Sequence, residues 1–250
     1  MTVSVFCCHM GAKMKFSIIT VCFNSGKTIR KTIESVLDQT VTDYEYIVVD
    51  GASTDDTLEI IKEYEPKFNG RMRCVSEPDK GIYDAMNKGI RMAQGEIIGI
   101  INSDDYYETD ALEKLLPYLE NPADVYYGMI RLMDEQREVS VIRHHHNYLT
   151  RQTLMHPACF VRKKSYEKYG LFDLQYKIAA DYELMLRFLK KQAVFIPVDA
   201  VLSNFSAGGI SDTSPLYEMY ELLWRYGTIS RKTYYLRLLT EFVRKRILRW

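Results

Sequence analysis

Apolar and polar positions in the first half of the chain alternate between two kinds of segment. Short runs rich in Ile and Val predict buried strands, and longer runs with apolar positions three or four residues apart predict amphipathic helices. The predicted strands are residues 16–23, 44–50, 71–77 and 96–102, and the predicted helices are residues 28–39, 53–64 and 81–93. This order predicts an α/β fold with a mostly parallel, doubly wound sheet and helices on both faces.

The second half of the chain has a less regular pattern. Residues 124–132 and 137–143 predict a β-hairpin, residues 156–163 a further strand, residues 179–191 a helix, and residues 193–205 two short strands. The sequence contains no internal repeat and no low-complexity segment, so a repeat architecture is not predicted.

Polar residues follow each of the four predicted strands of the first half. In a doubly wound sheet, ligands bind beyond the carboxyl ends of the strands, which meet at one edge. The residues at these ends are Thr20, Cys22 and Asn24; Asp50, Gly51 and Ser53; Asp79, Lys80 and Gly81; and Asn102, Asp104 and Asp105. Any one loop can be polar for solubility alone, but four polar ends together favour a binding site.

The fourth strand ends in two adjacent carboxylates, Asp104 and Asp105. Like charges in contact repel each other, and loss of solvent at the end of a buried strand increases the cost. We therefore expect a positively charged group beside them. The alternative is that the pair opens a helix at Thr109, where acidic side chains interact favourably with the helix dipole.

The composition is that of an ordinary globular protein, with 47% hydrophobic and 26% charged residues among 250. The five cysteines form no Cys-x-x-Cys pair, which favours a reducing, cytoplasmic setting. No apolar run approaches the length of about 18 residues that a membrane span needs.

Charge is unevenly distributed although the net charge is zero. Residues 228–250 contain seven Lys or Arg and one Glu, so this segment carries +6 and the rest of the chain −6. The body of the protein therefore does not resemble a nucleic-acid binder, and the C-terminal segment is expected to meet an anionic partner.

The sequence Gly26-Lys27-Thr28 after the first strand looks at first like a phosphate-binding loop. That motif requires another glycine five residues before Gly26, and Val21 occupies this position. We interpret the segment as a turn into the first helix.

Five segments, taken in order, resemble glycosyltransferase family 2, whose members have the GT-A type fold. The segments are "SIITVCFN", "YIVVDGASTDDT", "SEPDKGIYDAMNKG", "GEIIGIINSDD" and "AADYELMLR", and the resemblance covers about residues 14 to 205. Five motifs in the expected order are far more specific than any one alone. The resemblance implies an inverting, metal-dependent enzyme that takes a sugar from a nucleoside-diphosphate sugar, with a UDP-sugar as the preferred interpretation.

The resemblance also implies roles for the donor-site residues. Asp104 and Asp105 correspond to an acidic motif that binds Mn²⁺ or Mg²⁺ chelated by the donor diphosphate. Asn102 replaces the first Asp of the commoner motif, so Asp105 is the preferred metal ligand and Asp104 contacts the ribose or the metal. Asp50 is expected to accept hydrogen bonds from the base. The other implied nucleotide-sugar contacts are Thr20, Cys22, Asn24, Gly51, Ser53, Asp79, Lys80 and Gly81.

Some of these residues have ordinary alternatives. Ser53 has the spacing of a helix cap with Asp56, and Lys80 could simply be solvated. His144, His145 and His146 are adjacent, and neighbouring side chains point in different directions, so we interpret them as a solvated stretch rather than a metal site.

A general base must take the proton of the acceptor hydroxyl as it attacks the anomeric carbon. The resemblance places this function at Asp181, near a predicted helix N-terminus that would keep the carboxylate ionised. Its alternative role is a helix cap. Glu183 is the second candidate for the base, and His156 either approaches the diphosphate or acceptor or is structural.

The domain organisation implied by the resemblance has three parts. Residues 1–13 are an N-terminal extension, and residues 14–214 are the GT-A catalytic domain, with a nucleotide-binding half at 14–105 and an acceptor-binding half at 106–214. Residues 215–250 form a basic helical tail. The tail is expected either to lie on anionic lipid at the inner face of the cytoplasmic membrane or to pack on the catalytic domain.

The expected acceptor is a saccharide, free or linked to polyprenyl diphosphate, in the assembly of O-antigen, capsule or exopolysaccharide. Two alternatives remain. A sugar nucleotidyltransferase would need a glycine-rich phosphate loop, and only Gly26 is present near the first strand. A non-catalytic sugar- or partner-binding module on the same fold would not need Asp104, Asp105 and Asp181 intact.

Overall fold

The structure is a computed structural model that describes residues 14–134, 137–206 and 216–247. In the last helix it describes the side chains up to residue 241 and that of residue 243. The predicted extension at residues 1–13 and the predicted boundary at residue 214 lie outside the described residues.

Nine strands and eight α-helices make up the described chain. The strands are β1 Phe16–Cys22, β2 Tyr44–Asp50, β3 Met72–Ser76, β4 Ile97–Asn102, β5 Tyr106–Tyr107, β6 Val125–Asp134, β7 Arg137–Ile142, β8 Cys159–Arg162 and β9 Phe195–Ser206. The helices are α1 Ile29–Leu37, α2 Thr57–Tyr64, α3 Ile82–Met92, α4 Ala111–Leu115, α5 Lys163–Tyr169, α6 Ala180–Lys190, α7 Tyr217–Arg225 and α8 Arg231–Ile247.

The first four strands form a parallel sheet in the order β3-β2-β1-β4. Their register aligns the carboxyl ends, since Cys22 pairs with Asp50, Asp50 with Ser76, and Val21 with Asn102. The polar residues after these strands are therefore brought to one edge, as predicted from the chain order.

The second half of the sheet is mixed, so the prediction of a mostly parallel sheet holds only for the first half. Strand β8 pairs antiparallel with β4 and β6, β6 pairs parallel with β9, and β5 pairs antiparallel with β9. The predicted hairpin is confirmed as β6 and β7. The two short strands predicted over 193–205 are one strand, β9, because irregular register with β6 lets it continue past Pro197.

Two hydrophobic clusters cover opposite faces of the sheet, which confirms the prediction of helices on both faces. Successive residues of β1 alternate between them: Ile18 belongs to the cluster under α1, α2 and α4, and Ile19 to the cluster under α3, α6 and α7. This alternation is what a strand buried on both sides requires.

The C-terminal segment contains one helix more than predicted. Helix α7 packs into the larger cluster through Leu222 and Leu223, which are buried. Helix α8 lies against α7, where Trp224 stacks on Tyr234 with ring centroids 5.3 Å apart. Within the described residues, none of the helices has both the length and the apolar character that crossing a membrane demands.

We predict that Gly99→Ala destabilises the protein. A Cβ atom at Gly99 in β4 would lie 2.5 Å from Cε1 of Phe160 and 2.8 Å from the hydroxyl of Tyr107, and both rings are buried. Overpacking of this kind costs about 1–3 kcal/mol of unfolding free energy, measurable by chemical denaturation. The exposed Val139→Ala is the control and should change stability by less than about 0.5 kcal/mol. Equal stability of both variants would contradict the packing at β4.

Candidate active site

The loop after β2 is organised by the buried carboxylate of Asp50. Its oxygens accept hydrogen bonds from the backbone N–H of Ser53 at 3.0 Å, from the Ser53 hydroxyl, and from the Ser76 hydroxyl at 2.6 Å. The Ser53 hydroxyl in turn accepts from the backbone N–H of Asn24 at 2.8 Å. Asp50 therefore ties together the chain segments that follow β1, β2 and β3.

This arrangement changes two of the predicted roles. Asp50 is fully buried with both oxygens engaged, so its carboxylate holds the loop rather than standing open to a nucleotide base. Ser53 is not a helix cap, because α2 begins four residues later at Thr57 and Ser53 bonds to Asp50 instead. The prediction that Ser53 caps a helix together with Asp56 is therefore wrong, because the Ser53 hydroxyl donates to the buried carboxylate of Asp50.

Thr20 and Cys22 lie inside the sheet rather than at its open edge. Thr20 is fully buried, and its hydroxyl accepts a hydrogen bond from Tyr46 at 3.0 Å. The Cys22 thiol lies 3.6 Å from the carboxylate of Asp50. Burial raises the pKa of this thiol well above its ordinary value, and the charge of Asp50 is the second cause of the rise. Asn24 does reach the edge, where its side-chain oxygen accepts from the backbone N–H of Thr54 at 2.9 Å.

Phe23 is a residue of this edge that the sequence argument missed. It follows the buried strand β1 directly, yet its side chain is 61% exposed. A Cβ atom added to Gly51 would lie 3.4 Å from the Phe23 ring and 2.6 Å from a carboxylate oxygen of Asp79. Gly51 thus allows Phe23, Asp79 and the loop after β2 to approach one another, and an exposed aromatic residue at a strand end was the available signal.

Hydrogen bonds between backbone N–H groups and carboxylate side chains shape the loop after β3. Asp79 accepts a hydrogen bond from the N–H of Gly81 at 2.8 Å, and Asp84 accepts one from the N–H of Lys80 at 3.1 Å. Gly81 has φ +117°, a conformation that side chains disfavour. The Lys80 side chain is exposed at this edge.

The acidic pair after β4 has an incomplete set of partners. Asp105 is 1% exposed, and one of its oxygens accepts from the backbone N–H of Ser206 in β9 at 2.9 Å. Its other oxygen and the side-chain oxygen of Asn102 are buried without a hydrogen-bond partner among the described residues. Burial raises the pKa of Asp105 well above its ordinary value, with the charge of Asp104 adding to the effect. Burial also raises the pKa of Asp104.

These oxygens fit a divalent cation. Carboxylate and amide oxygens are the ligands that Mg²⁺ and Mn²⁺ prefer, and a cation would compensate the buried charge. Over residues 14–134, 137–206 and 216–247, no three His, Cys, Asp or Glu side chains are grouped to hold a metal alone. The donor set of the pair thus leaves room for ligands from a bound anion.

Asp181 lies in the first turn of α6. One carboxylate oxygen is 3.2 Å from the hydroxyl of Tyr83, and this hydroxyl also donates to the carbonyl oxygen of Ile178 at 2.6 Å. Burial raises the pKa of Asp181 above its ordinary value, and nearby His156 opposes the rise. Burial lowers the pKa of His156, whose ring packs against Phe172 at 5.9 Å. Asp181 and His156 are therefore brought together, as two half-buried titratable groups.

Glu183 is placed differently from Asp181 although it is only two residues away. It is 5% exposed, and it accepts hydrogen bonds from Arg187 at 2.9–3.2 Å and from the hydroxyl of Tyr226 at 2.6 Å. A carboxylate neutralised in this way is held for packing, and the arrangement argues against its role as the second candidate base.

The structure explains the two segments whose sequences look like a phosphate-binding loop and a histidine metal site. The Gly26 turn precedes α1, as predicted, and its N–H donates to the carboxylate of Asp55 at 3.0 Å, an acidic surrounding unsuited to phosphate. The histidines are not simply solvated: His145 and His146 stack with centroids 4.3 Å apart, and His146 bonds to the Tyr127 hydroxyl at 2.7 Å.

Comparison with known proteins places the chain among sugar-transferring enzymes. The family described as Glycosyl transferase family 2 matches residues 17–192. A PGL/p-HBAD biosynthesis glycosyltransferase of Mycobacterium bovis is 29% identical over 209 residues, 82% of this chain and 81% of the relative. An uncharacterized glycosyltransferase of Mycobacterium tuberculosis is 32% identical over 226 residues, 86% of this chain and 84% of the relative.

Solved structures share the fold. TarS of S. aureus in complex with UDP-GlcNAc superimposes with a TM-score of 0.69 at 21% identity, over 85% of this chain and 66% of that chain. A mannosyltransferase from Pyrobaculum calidifontis in complex with GDP-Man and Mn²⁺ gives a TM-score of 0.64 at 18% identity, over 85% of this chain and 62% of that chain. This chain therefore spans slightly less than two thirds of each of these structures.

The family match covers well over half of the chain. The chain belongs to glycosyltransferase family 2, with the GT-A fold.

Proposed function

We propose that the protein transfers a sugar from a UDP-sugar to a saccharide hydroxyl, with inversion at the anomeric carbon and with the help of a divalent cation. The observation that carries the proposal is the buried, unpartnered oxygen of Asp105 beside Asp104 at the end of β4. The choice of UDP is supported by TarS, whose structures hold UDP and UDP-GlcNAc. The mannosyltransferase holds GDP-Man and Mn²⁺ and makes GDP the competing nucleotide.

Asp104, Asp105 and the side-chain oxygen of Asn102 would hold the cation, either Mn²⁺ or Mg²⁺. The sequence argument preferred Asp105 as the ligand. Because Asp105 is anchored by Ser206 and almost wholly buried while Asp104 is only half-buried, we now prefer Asp104 as the principal ligand and Asp105 as its support. When bound, such a cation acts as a Lewis acid toward the leaving diphosphate.

The nucleotide would lie across the ends of β1, β2 and β3. Asn24 and the Asp79–Gly81 loop border this edge, and exposed Phe23 offers a flat apolar face for a base. Asp50 fixes the loop that carries Gly51 and Ser53, and we assign it the positioning of that loop. Exposed Lys80 supplies a positive charge within the edge that suits a phosphate.

Asp181 would act as the general base. Transfer with a single displacement needs a carboxylate that removes the proton from the acceptor hydroxyl as the new bond forms. The raised pKa of Asp181 makes it a stronger base than an ordinary Asp while it is ionised. Tyr83 orients the carboxylate by a hydrogen bond, and His156 favours its ionised form.

We infer that the acceptor is a saccharide linked to polyprenyl diphosphate, used in a surface polysaccharide such as O-antigen, capsule or exopolysaccharide. Support comes from the basic C-terminal segment and from the relatives, whose names include a PGL/p-HBAD biosynthesis glycosyltransferase and chondroitin synthase.

The surface of α8 supports peripheral binding to an anionic membrane at its inner, cytoplasmic face. Tyr235, Leu236, Leu239 and Val243 share one side of the helix, and each is at least 44% exposed. The net charge of +6 over residues 228–250 complements an anionic lipid surface. Helix α8 is held to α7 on another side by the Trp224–Tyr234 stack, so the apolar side stays free for lipid.

The first prediction from this proposal concerns the cation. We expect the protein to release nucleoside diphosphate from UDP-glucose, UDP-GlcNAc or GDP-mannose when Mn²⁺ and a synthetic polyprenyl-diphosphate saccharide are present, and to stop when EDTA is added. Asp104→Asn should lower turnover by about 100-fold or more because it removes charge stabilisation in the transition state. Asp199→Asn, in an exposed ion pair with Arg143, is the control and should be neutral. Unchanged turnover in EDTA would refute metal dependence.

The second prediction concerns Asp181. Since the base must be ionised, turnover should fall as the pH falls through the raised pKa of Asp181, at a higher pH than an ordinary Asp would give. The titratable groups that face it are Tyr83, His156 and Cys159. Asp181→Asn should lose turnover by about 100- to 10,000-fold while donor affinity, measured by calorimetry, is retained. Near-normal transfer by Asp181→Asn would remove it as the base.

The third prediction concerns the membrane. The protein should sediment with vesicles that contain about 30% phosphatidylglycerol, an anionic lipid that gives the surface a negative potential. It should not sediment with vesicles of pure phosphatidylcholine. Leu239→Glu should reduce binding at least roughly tenfold because it removes buried apolar area. Thr240→Glu adds the same charge on another side of α8 and should have a much smaller effect. Equal binding by both variants, or a dimer in solution that buries α8, would contradict lipid docking.

A further inference from the structure

A buried carboxylate on α7 binds the chain just before α6. Glu218 is 5% exposed, and its two oxygens accept hydrogen bonds from three successive backbone N–H groups, those of Lys177, Ile178 and Ala179, each at 3.0 Å. The two segments are about forty residues apart in the sequence. The contact is therefore a tertiary clamp and not a local turn.

The clamp supplies what the local sequence lacks. The residue that precedes α6, Ala179, has no side chain able to cap the helix. The three N–H groups belong to residues that precede Ala180, the first residue of α6, so they take no part in its intrahelical hydrogen bonds, and they lie near the positive end of the helix dipole, where a carboxylate is favoured. Hydrogen bonds to an ionised acceptor are stronger than neutral ones, which makes three of them an effective constraint on residues 177–179.

The same peptide is held from its other side by Tyr83. The Tyr83 hydroxyl donates to the carbonyl oxygen of Ile178 at 2.6 Å and lies 3.2 Å from Asp181. The Tyr83 ring is itself fixed by stacking on Phe172, with centroids 5.4 Å apart. Ile178 is thus gripped by Glu218 through its N–H and by Tyr83 through its carbonyl, and Asp181 shares the Tyr83 hydroxyl.

Helix α7, which carries Glu218, is packed into the hydrophobic core. Leu222 and Leu223 are buried in the core, and Tyr226, which follows α7, donates to Glu183 in the first half of α6 at 2.6 Å. Residues 216–226 therefore contact the chain on either side of Asp181, at residues 177–179 before α6 and at Glu183 within it. By packing they belong to the catalytic domain rather than to the tail predicted over 215–250.

We propose that Glu218 is a positioning residue for Asp181: it fixes the start of α6 so that the carboxylate of the base stays oriented toward the acceptor. The inference rests on the proposed function of Asp181, and it adds a residue outside every motif that carried the family resemblance. Displacement of a reacting group by about 1 Å can cost roughly 100-fold in rate without affecting substrate binding.

Glu218→Gln tests the inference, because it keeps the size of the side chain but replaces one accepting oxygen by an N–H₂ group that faces backbone donors. With whichever of UDP-glucose, UDP-GlcNAc and GDP-mannose the wild-type protein uses, we expect kcat to fall by about 100-fold and the KM for the donor to stay within about twofold. Glu221→Gln is the matched control, since Glu221 lies on the same helix and its ion pair is with Arg225, one turn away, at 2.6 Å. It should keep wild-type kcat.

Three further measurements separate positioning from general stability. Hydrogen exchange of residues 175–181 should quicken in Glu218→Gln and not in Glu221→Gln. Glu218→Asp, which keeps the charge, should recover part of kcat. In an Asp181→Asn background, Glu218→Gln should cause no further loss, because the group it positions is already gone.

The outcomes distinguish the two levels of the proposal. Wild-type kcat in Glu218→Gln, or an equal loss of kcat and donor affinity, would overturn the positioning role. Near-normal kcat in Asp181→Asn would instead overturn the assignment of the base. If Glu218→Gln does not fold, Tyr83→Phe removes the other grip on Ile178 and should lower kcat by about tenfold with unchanged KM; wild-type kcat there and in Glu218→Asp would also overturn the inference.

Discussion

The buried carboxylate of Asp105 has an oxygen with no hydrogen-bond partner among the described residues, and this constrains the edge of the sheet where β1 to β4 end. Asp105 is almost fully buried next to Asp104, and within the described part of the chain Ser206 alone donates a backbone hydrogen bond to its side chain. Burial raises the pKa of both carboxyl groups, and the charge of Asp104 adds to the rise at Asp105, so keeping the pair ionised here costs free energy. The cation and the anionic ligand that we propose for this site would compensate this cost.

The two halves of the sheet meet at this pair. The parallel half brings the ends of β1, β2 and β4 into register, and the mixed half returns β9 to the same place, where Ser206 bonds to both Asp105 and the backbone of Asp104. Strand β5, directly after the pair, is paired with β9. The edge of the sheet at Asp104 and Asp105 therefore depends on the pairing of strands that are far apart in the sequence, because β9 from the second half of the chain supports it.

The sequence predicted the parts of the fold that depend on local pattern. Strands β1 to β4 and helices α1 and α3 followed from the spacing of residues such as Ile19, Ile33 and Ile90, because each contributes to a face that must be buried. It did not predict that β9 is one strand or that β8 inserts antiparallel beside β4, since these depend on partners far away in the chain. The burial of Asp50 and Thr20 was missed for the same reason: their side chains are engaged by Ser76 and Tyr46, which no spacing rule connects to them.

Three carboxylates surround the first turns of α6, and their partners decide what each can do. Glu183 forms an ion pair with Arg187 and accepts a hydrogen bond from Tyr226, so its oxygens are engaged in packing. Glu218 accepts hydrogen bonds from three backbone N–H groups, which engage both of its oxygens in holding residues 177–179. Asp181 has the Tyr83 hydroxyl and the neighbourhood of His156, and burial raises its pKa. Asp181 has a pKa that burial raises, and it takes part neither in an ion pair with Arg187 nor in the contact of Glu218 with residues 177–179. That combination suits a base, and the sequence spacing by itself could not have separated Asp181 from Glu183.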